Sequence, residues 1–434
     1  MCSEKLPKNI EQKFSHNLNK IFGKKTPKKI VVGVSGGIDS MALLFLIKNT
    51  TKSEIFAVTI DHKLRNNSSS EARFVADFLK KHKINHSILE SYLTKKPSSN
   101  IEAQAREVRY NLLVNFCLDK KINYLFIAHH QNDLAENFLI RLFRGSGIDG
   151  LSALDYISNF EGIKLARPLL NFEKNELEQY LKINKIPHIH DESNDDEKYL
   201  RNKIRQFLNT MDDSKLINQR IALASKSILV SKKLIEEEML KNACNIMEFS
   251  NFGYFLLNID KFKLLHEEKA LRYLAWILME VGGNNYKPRL EKLTNFYSWI
   301  INNKNHKAYS FYGCITEKYN SNKIIIYREK SKIDEKNNIV WDNRFLIKNK
   351  LSKNFSITTI SNSELNNLIK TKKIKLDKNI FKKILYTLPI LRKNNEIVSI
   401  PYLNFKLKQS EIKNLKIKFK LRTPLQKIFE KDLK

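Results

Sequence analysis

Six consecutive residues, Ser35-Gly36-Gly37-Ile38-Asp39-Ser40, combine two hydroxyls, two glycines and a carboxylate. They follow the β-branched run 29–34 (KIVVGV) and precede the apolar stretch MALLFLIKNT. A strand, a Gly-Gly turn and a helix make a phosphate cradle. The glycines let backbone N–H groups approach a ligand, and the helix start adds positive partial charge. Ser35 and Ser40 add hydroxyl donors. Asp39 suits Mg²⁺, which takes carboxylate and phosphate oxygens. The loop lacks the Gly-Lys-Ser/Thr ending of a Walker loop, which serves chemistry at a γ-phosphate.

Further clusters fall in or near the loops a ligand would meet. In DHKLR (61–65), Asp61 suits a nucleotide's sugar or adenine amine and Arg65 a phosphate. In AREVRY, Arg106, Arg109 and Tyr110 share one helix face, fit for phosphates and stacking. In AHHQNDLAEN, His129 and His130 are acid–base or phosphate-binding groups. Asp133 and Glu136, three apart, are spaced to share a cation or an amine. RGSG (144–147) offers Arg144 to a phosphate or a substrate carboxylate. Arg201 and Arg205 are four apart on a helical pattern mixed with acids. Each cluster alone also has a plainer reading, as a solvated charged loop or a salt-bridged helix face.

The elements that position these residues alternate. Strand runs at 29–34, 55–60, 84–90 and 123–130 are separated by helical segments at 41–50, 71–83, 101–119 and 132–143. That alternation predicts an α/β fold: an N-terminal doubly wound parallel sheet, with helices on both faces, over 1–210. From 215 to 300 the pattern is amphipathic helix with no clear strand, and 311–330 reads as a hairpin, which makes 215–330 a mainly helical domain. Residues 331–350 are polar and read as a linker. Residues 351–434 alternate short strands with a helix, a small α+β domain.

Composition narrows the function classes. The 434 residues carry 77 Lys+Arg against 46 Asp+Glu, a net charge of +31. Residues 331–434 hold 25 basic and 9 acidic residues, so +16 lies in the last quarter. Such charge fits a polyanionic partner or a Lys- and Asn-rich genome composition. The four cysteines lie far apart with no CxxC pair, and no HExxH occurs, so zinc, an iron–sulfur cluster, a redox pair and a disulfide framework have no motif. No apolar run reaches the roughly 18 residues of a membrane span, and the first residues lack a signal-peptide core. A cytoplasmic protein that binds no membrane is expected.

Taken in order, SGGIDS, DHKLR, AREVRY, AHHxxDxxEN, RGSG, RPLL (167–170) and D-x-SN…RNxIR resemble the tRNA(Ile)-lysidine synthetase family. The resemblance is dense over 29–205. It returns at Gly313-Cys314 before a strand ending Arg328-Glu329, and at 388–403. The glycine loop is similar to the PP-loop of ATP pyrophosphatases, which hold the leaving pyrophosphate while the α-phosphate is attacked. The resemblance implies a three-domain ligase that adenylates the wobble cytidine of tRNA(Ile) with a CAU anticodon. Free L-lysine then displaces AMP to form lysidine. On this reading Ser35, Gly36, Gly37, Ile38, Asp39, Ser40, Asp61 and Arg106 bind ATP, and Asp39 holds Mg²⁺. Asp39, His130, Arg201 and Arg205 serve adenylation. Asp133 and Glu136 meet the ammonium of lysine, and Arg144 meets its carboxylate. The mainly helical 215–330 domain and the basic 351–434 segment bind the tRNA. The chain departs from the family at Asn132, where Asp is usual, and at Leu134, Asn137 and Glu192. Asn132 leaves open which carboxylate binds lysine or metal. The alternatives are a tRNA thiolase of the same superfamily, which the isolated cysteines disfavour, a small-molecule synthetase, and a non-catalytic RNA-binding protein, which the intact loop disfavours.

Overall fold

The computed structural model describes residues 5–23, 25–63, 67–91, 101–189, 200–303, 307–335, 340–348, 354–374, 381–407 and 416–430. The chain divides into two compact units, Met1–Leu234 and Ile235–Lys434. In the first, α1 (Lys5–Phe22) precedes β1 (Lys29–Gly33), α2 (Ile38–Thr50), β2 (Glu54–Asp61), α3 (Ser68–Lys81), β3 (Asn85–Glu90), α4 (Ile101–Asp119), β4 (Tyr124–Phe126) and α5 (Gln131–Leu142). Then come α6 (Ile148–Leu151), β5 (Ile157–Phe160), β6 (Ile163–Ala166), α7 (Lys174–Ile183), α8 (Leu200–Asn209) and the long α9 (Ser214–Ile246), whose residues from Ile235 on belong to the second unit.

The six strands are ordered β3-β2-β1-β4-β6-β5, and all pairs are parallel except β5–β6. Two apolar layers cover the two faces. One is built on Val32, Leu43, Leu46 and Phe172; the other on Val31, Val58, Leu113 and Leu125. A strand whose neighbouring residues feed opposite layers must be apolar throughout, which is why β1 reads as an unbroken Ile-Val-Val run. The parallel sheet expected from alternation is present. Sequence periodicity did not find α1 or the β5–β6 hairpin. The fourth strand stops at Phe126; Ile127 N–H still donates to Ala166 O at 2.9 Å, and the chain then leaves the sheet.

The second unit contains β7 (Met247–Ser250), β8 (Tyr254–Asn258), α10 (Ile259–Lys263), α11 (Glu267–Gly282), α12 (Leu290–Asn302), β9 (Tyr309–Phe311), β10 (Cys314–Lys318) and β11 (Lys323–Arg328). Its strands form an antiparallel sheet ordered β7-β8-β11-β10-β9. The 311–330 hairpin is there as β10–β11. The 215–300 stretch, expected to be free of strands, contains the hairpin β7–β8, closed at Gly253 with φ +82°. Next follow β12 (Val340–Trp341), β13 (Phe345–Lys348), β14 (Phe355–Thr358), α13 (Asn362–Lys370), α14 (Lys382–Leu385), β15 (Ile390–Lys393), β16 (Glu396–Ile400), β17 (Phe405–Lys406) and β18 (Lys416–Phe419).

Residues 340–348 are not linker. Trp341 and Phe345 are buried in one core that runs from Met239 to Phe429. Polarity in this stretch comes from charge that is internal. Asp342 pairs with Arg328 at 2.7 Å and with Arg344 at 2.6 Å, all three buried. Arg328 also donates to Gly282 O at 2.8 Å and Gly313 O at 3.2 Å. A Cβ on Gly313 would lie 2.6 Å from this guanidinium, so the Gly313-Cys314…Arg328-Glu329 pattern is a structural cage. Among the described residues, no helix is long and apolar enough to cross a membrane.

Candidate active site

From β1 the chain winds outward through β2 and β3, then returns to place β4 on the other side of β1. The loops after β1 and β4 therefore splay apart, and the crevice between them is where open α/β sheets take ligands. The glycine loop follows β1. Val34 N–H still bonds to Val58 O at 2.9 Å, after which Gly36 adopts φ +87°. A Cβ at Gly36 would lie 2.7 Å from Ile189 Cδ1 and 2.8 Å from Val75 Cγ2, so both space and dihedral demand glycine. Ile189 N–H donates to Gly36 O at 2.9 Å. Ser40 Oγ donates to Gly37 O at 3.0 Å and accepts from Ser35 N–H at 3.2 Å, which closes the loop on itself. Gly37 caps α2 with no side chain, so the first-turn N–H groups stay open to an anion.

The loop after β4 brings His130 to the same crevice as the N-cap of α5. Its Nε2 lies 3.5 Å from Asp39 Oδ2 and 3.6 Å from Asp133 Oδ2. His130 N–H donates to Asp133 at 3.0 Å, which fixes that carboxylate at the helix start. Burial opposes charge on His130, but Asp133, Asp39 and Glu136 outweigh it and push its pKa up to about 9. His129 goes the other way: burial, with Arg167, Arg106 and Arg109 nearby, pushes it down to about 3 despite Asp133. Asp133 is held well below the usual carboxylate range, because His130, His129, the His130 N–H and Arg201 overcome its burial. These surroundings favour an imidazolium at His130 and a neutral ring at His129, an arrangement that separates an acid from a neutral donor.

Glu136, one turn further along α5, is buried and held by α8. Arg205 grips both its oxygens, at 2.7 and 3.3 Å, and Arg201 Nε lies 3.4 Å from Oε2. Glu136 is therefore already paired with two guanidiniums in this structure. Arg201 donates to Asn137 Oδ1 at 2.6 Å. Asn132 does not face the pocket: its Oδ1 accepts from Lys174 N–H at 3.2 Å, capping α7. The missing acid at 132 thus removes no pocket charge.

On the other side stand Arg106, Arg109, Arg167 and Arg201. Arg106 Nη2 lies 3.5 Å from His129 Nε2, and the Arg106 and Arg109 guanidiniums lie 5.5 and 5.8 Å from the Tyr110 ring centre. Arg167, at the end of β6, donates to Asp155 O at 3.0 Å and Ser158 Oγ at 2.9 Å, while its buried Nε has no partner. Burial and the nearby Arg106 lower the pKa of Arg167, and Arg106 and Arg201 act in the same direction on Arg109. Cations crowded this closely are fit for a polyanion. Sequence reading found Arg167 only within the RPLL pattern, because β6 was unread. Asp61 is turned inward: it accepts from Lys63 N–H, Ser68 Oγ and Ser69 Oγ at 2.9, 2.8 and 2.6 Å. Arg144 is not brought to the pocket. It is exposed on the turn at the far end of α5 from Asp133. Arg65 and the acids of 190–199 lie outside the described residues.

Asp39 Oδ1 is buried and has no hydrogen-bond partner, which fits one carboxylate ligand of a Mg²⁺ otherwise bound by phosphates and water.

Residues 10–211 match the PP-loop domain family model. The tRNA(Ile)-lysidine synthase of Wolbachia pipientis wMel is 34% identical over 395 residues, 87% of this chain and 89% of that protein. The protein of the same name from Rickettsia typhi is 34% identical over 417 residues, 91% and 94% of the two chains. That from Orientia tsutsugamushi is 33% identical over 422 residues, 92% and 94%.

Proposed function

The chain belongs to the tRNA(Ile)-lysidine synthase family, and on that premise we propose how its pocket carries out ATP-dependent ligation of free L-lysine to the wobble cytidine of the CAU anticodon. Cytidine O2 attacks the α-phosphorus of ATP, and the bond to pyrophosphate breaks. The ε-amine of lysine, deprotonated, then attacks C2; the C2–O2 bond breaks and AMP leaves carrying O2.

The observation that carries this reading is the meeting of Asp39, His130 and Asp133 in front of the uncapped start of α2. Ser35 to Ser40 cradle the pyrophosphate as it departs. Mg²⁺ bound by Asp39 neutralises phosphate charge when present. The His130 imidazolium faces charge that grows on the α-phosphate, and neutral His129 with Arg106, Arg109 and Arg167 binds the remaining phosphate oxygens. Cytidine is a weak nucleophile, so positioning and charge stabilisation supply most of the rate. Asp133 receives the lysine ammonium. Glu136 acts through Arg201 and Arg205, which it holds against α5. Asp61 ties the loop after β2 to the start of α3, beside the nucleotide. The basic 351–434 segment adds affinity for tRNA.

The test mixes purified protein with ATP, labelled lysine and unmodified tRNA(Ile). Label is expected in tRNA only when ATP is present. Label without ATP, or none with it, overturns the reading.

A further inference from the structure

We infer that the turn closing α5 is a nucleobase-stacking contact for the tRNA, with Phe143 as platform and Arg141 and Arg144 on adjoining phosphates. This rests on the tRNA reading above and names a surface that reading leaves unassigned.

Phe143 is 65% exposed, and Leu142 and Ile148 beside it are also exposed. One wet apolar side chain needs no explanation. An exposed aromatic ring whose sequence neighbours include two exposed arginines, Arg141 and Arg144, is a different case, because the same turn offers a π-face and two phosphate-binding forks. The ring does not stand on a loose segment. Phe143 N–H bonds to Leu139 O at 2.9 Å, Gly145 N–H to Leu142 O at 2.9 Å and Ser146 N–H to Arg141 O at 3.0 Å. Gly145, with φ +67°, closes the turn. The backbone beneath the ring is thus fixed and loses little freedom when a base stacks there.

Position selects the partner. Helix α5 starts at His130 in the pocket and ends at this turn 12 residues later, about 18 Å away. At about 3.4 Å per stacked nucleotide, that is about five nucleotides from the wobble base. The far side of the anticodon loop, or the start of its stem, spans that distance. The two arginines match a polyanion, whereas a second copy of this chain, at +31, would bring more positive charge to them.

The experiment uses the full chain with Phe143→Ala, Phe143→Tyr and Phe143→Leu. It measures tRNA affinity alongside KM for ATP and for lysine, with the oligomeric state followed in parallel. Phe143→Ala is expected to weaken tRNA binding about 5- to 150-fold, the range for loss of one aromatic stack. KM for ATP and lysine should stay unchanged. Phe143→Tyr should keep affinity, and Phe143→Leu, apolar but not aromatic, should not. Unchanged tRNA affinity in Phe143→Ala overturns the inference, as does Leu performing as well as Tyr. A changed oligomeric state with tRNA binding intact also overturns it and gives the patch to a second copy. An unsubstituted protein that binds no tRNA sinks the underlying reading instead.

Discussion

Replacing Asp133 with asparagine removes the largest single coulombic attraction that holds charge on His130. That imidazole is buried, with Asp39 and Asp133 oxygens 3.5 and 3.6 Å from Nε2. Burial alone would drive its pKa below 6.5; the carboxylates carry it to about 9. The rise from 6.5 to about 9 corresponds to a few kcal/mol in favour of the imidazolium, on the order of 3. With Asp133 neutral, Asp39 and Glu136 must offset burial without the largest attractive partner. The pKa should then fall from about 9 toward the ordinary imidazole range. The assay is tRNA-dependent ATP–pyrophosphate exchange, followed as kcat/KM for ATP between pH 6 and 10, which reports groups of the enzyme before ATP binds. Exchange precedes lysine, so lost lysine binding does not confound it. The native enzyme should lose rate through pH 9, and Asp133→Asn should lose it at lower pH. Asp133→Glu should restore much of the limb. The same linkage acts on stability. A histidine raised in the folded state stabilises fully below its unfolded pKa near 6.5, and that contribution disappears as pH rises through about 9. An alkaline limb that stays near 9 in Asp133→Asn would refute the assignment of His130.

Gly36→Ala should raise KM for ATP tenfold or more in exchange assays, because the methyl meets Ile189 and Val75 at a φ of +87°; the strain is about 1–3 kcal/mol. An unchanged KM would show that the loop relaxes freely. Asp342→Asn leaves two buried guanidiniums without their counter-charge and should cost about 3–5 kcal/mol by urea unfolding. A loss below about 1 kcal/mol would disprove the cage. Truncating the chain at 331 is a poor test of tRNA grip, since it strips Trp341 and Phe345 from the core. Replacing exposed Lys370, Lys372 and Lys373 by Gln is the better one. The log–log salt slope of tRNA binding should flatten by up to about 0.9 per lost phosphate contact, and an unaltered slope would leave the charge of this segment as composition.

The sequence alone determined what is contiguous. The strand, Gly-Gly turn, Asp39 and α2 form one uninterrupted segment, so their chemistry could be read in order. The facing of Arg106 and Tyr110 follows from their four-residue helical spacing, and the Arg106 guanidinium lies 5.5 Å from the Tyr110 ring centre; Arg109, next to Tyr110 in sequence, is exposed whereas Tyr110 is buried. The parallel sheet followed from alternation, since parallel strands need long crossovers. Short elements without a strong period, such as β7–β8 and β12, escaped.

Tertiary structure decided what depends on through-space proximity. Asp39 and His130 are 91 positions apart in the chain, and only the return of β4 beside β1 makes them neighbours. Two adjacent histidines look alike in the sequence, yet one faces carboxylates and the other arginines, so their pKa values part to about 9 and about 3. Glu136 reads as a free acid until α8 brings Arg205 against it. Asn132 reads as a lost ligand until its side chain is seen capping α7. Periodicity reports the local rise and turn of a chain. Electrostatic environment is summed over groups that the fold alone brings within a few ångströms.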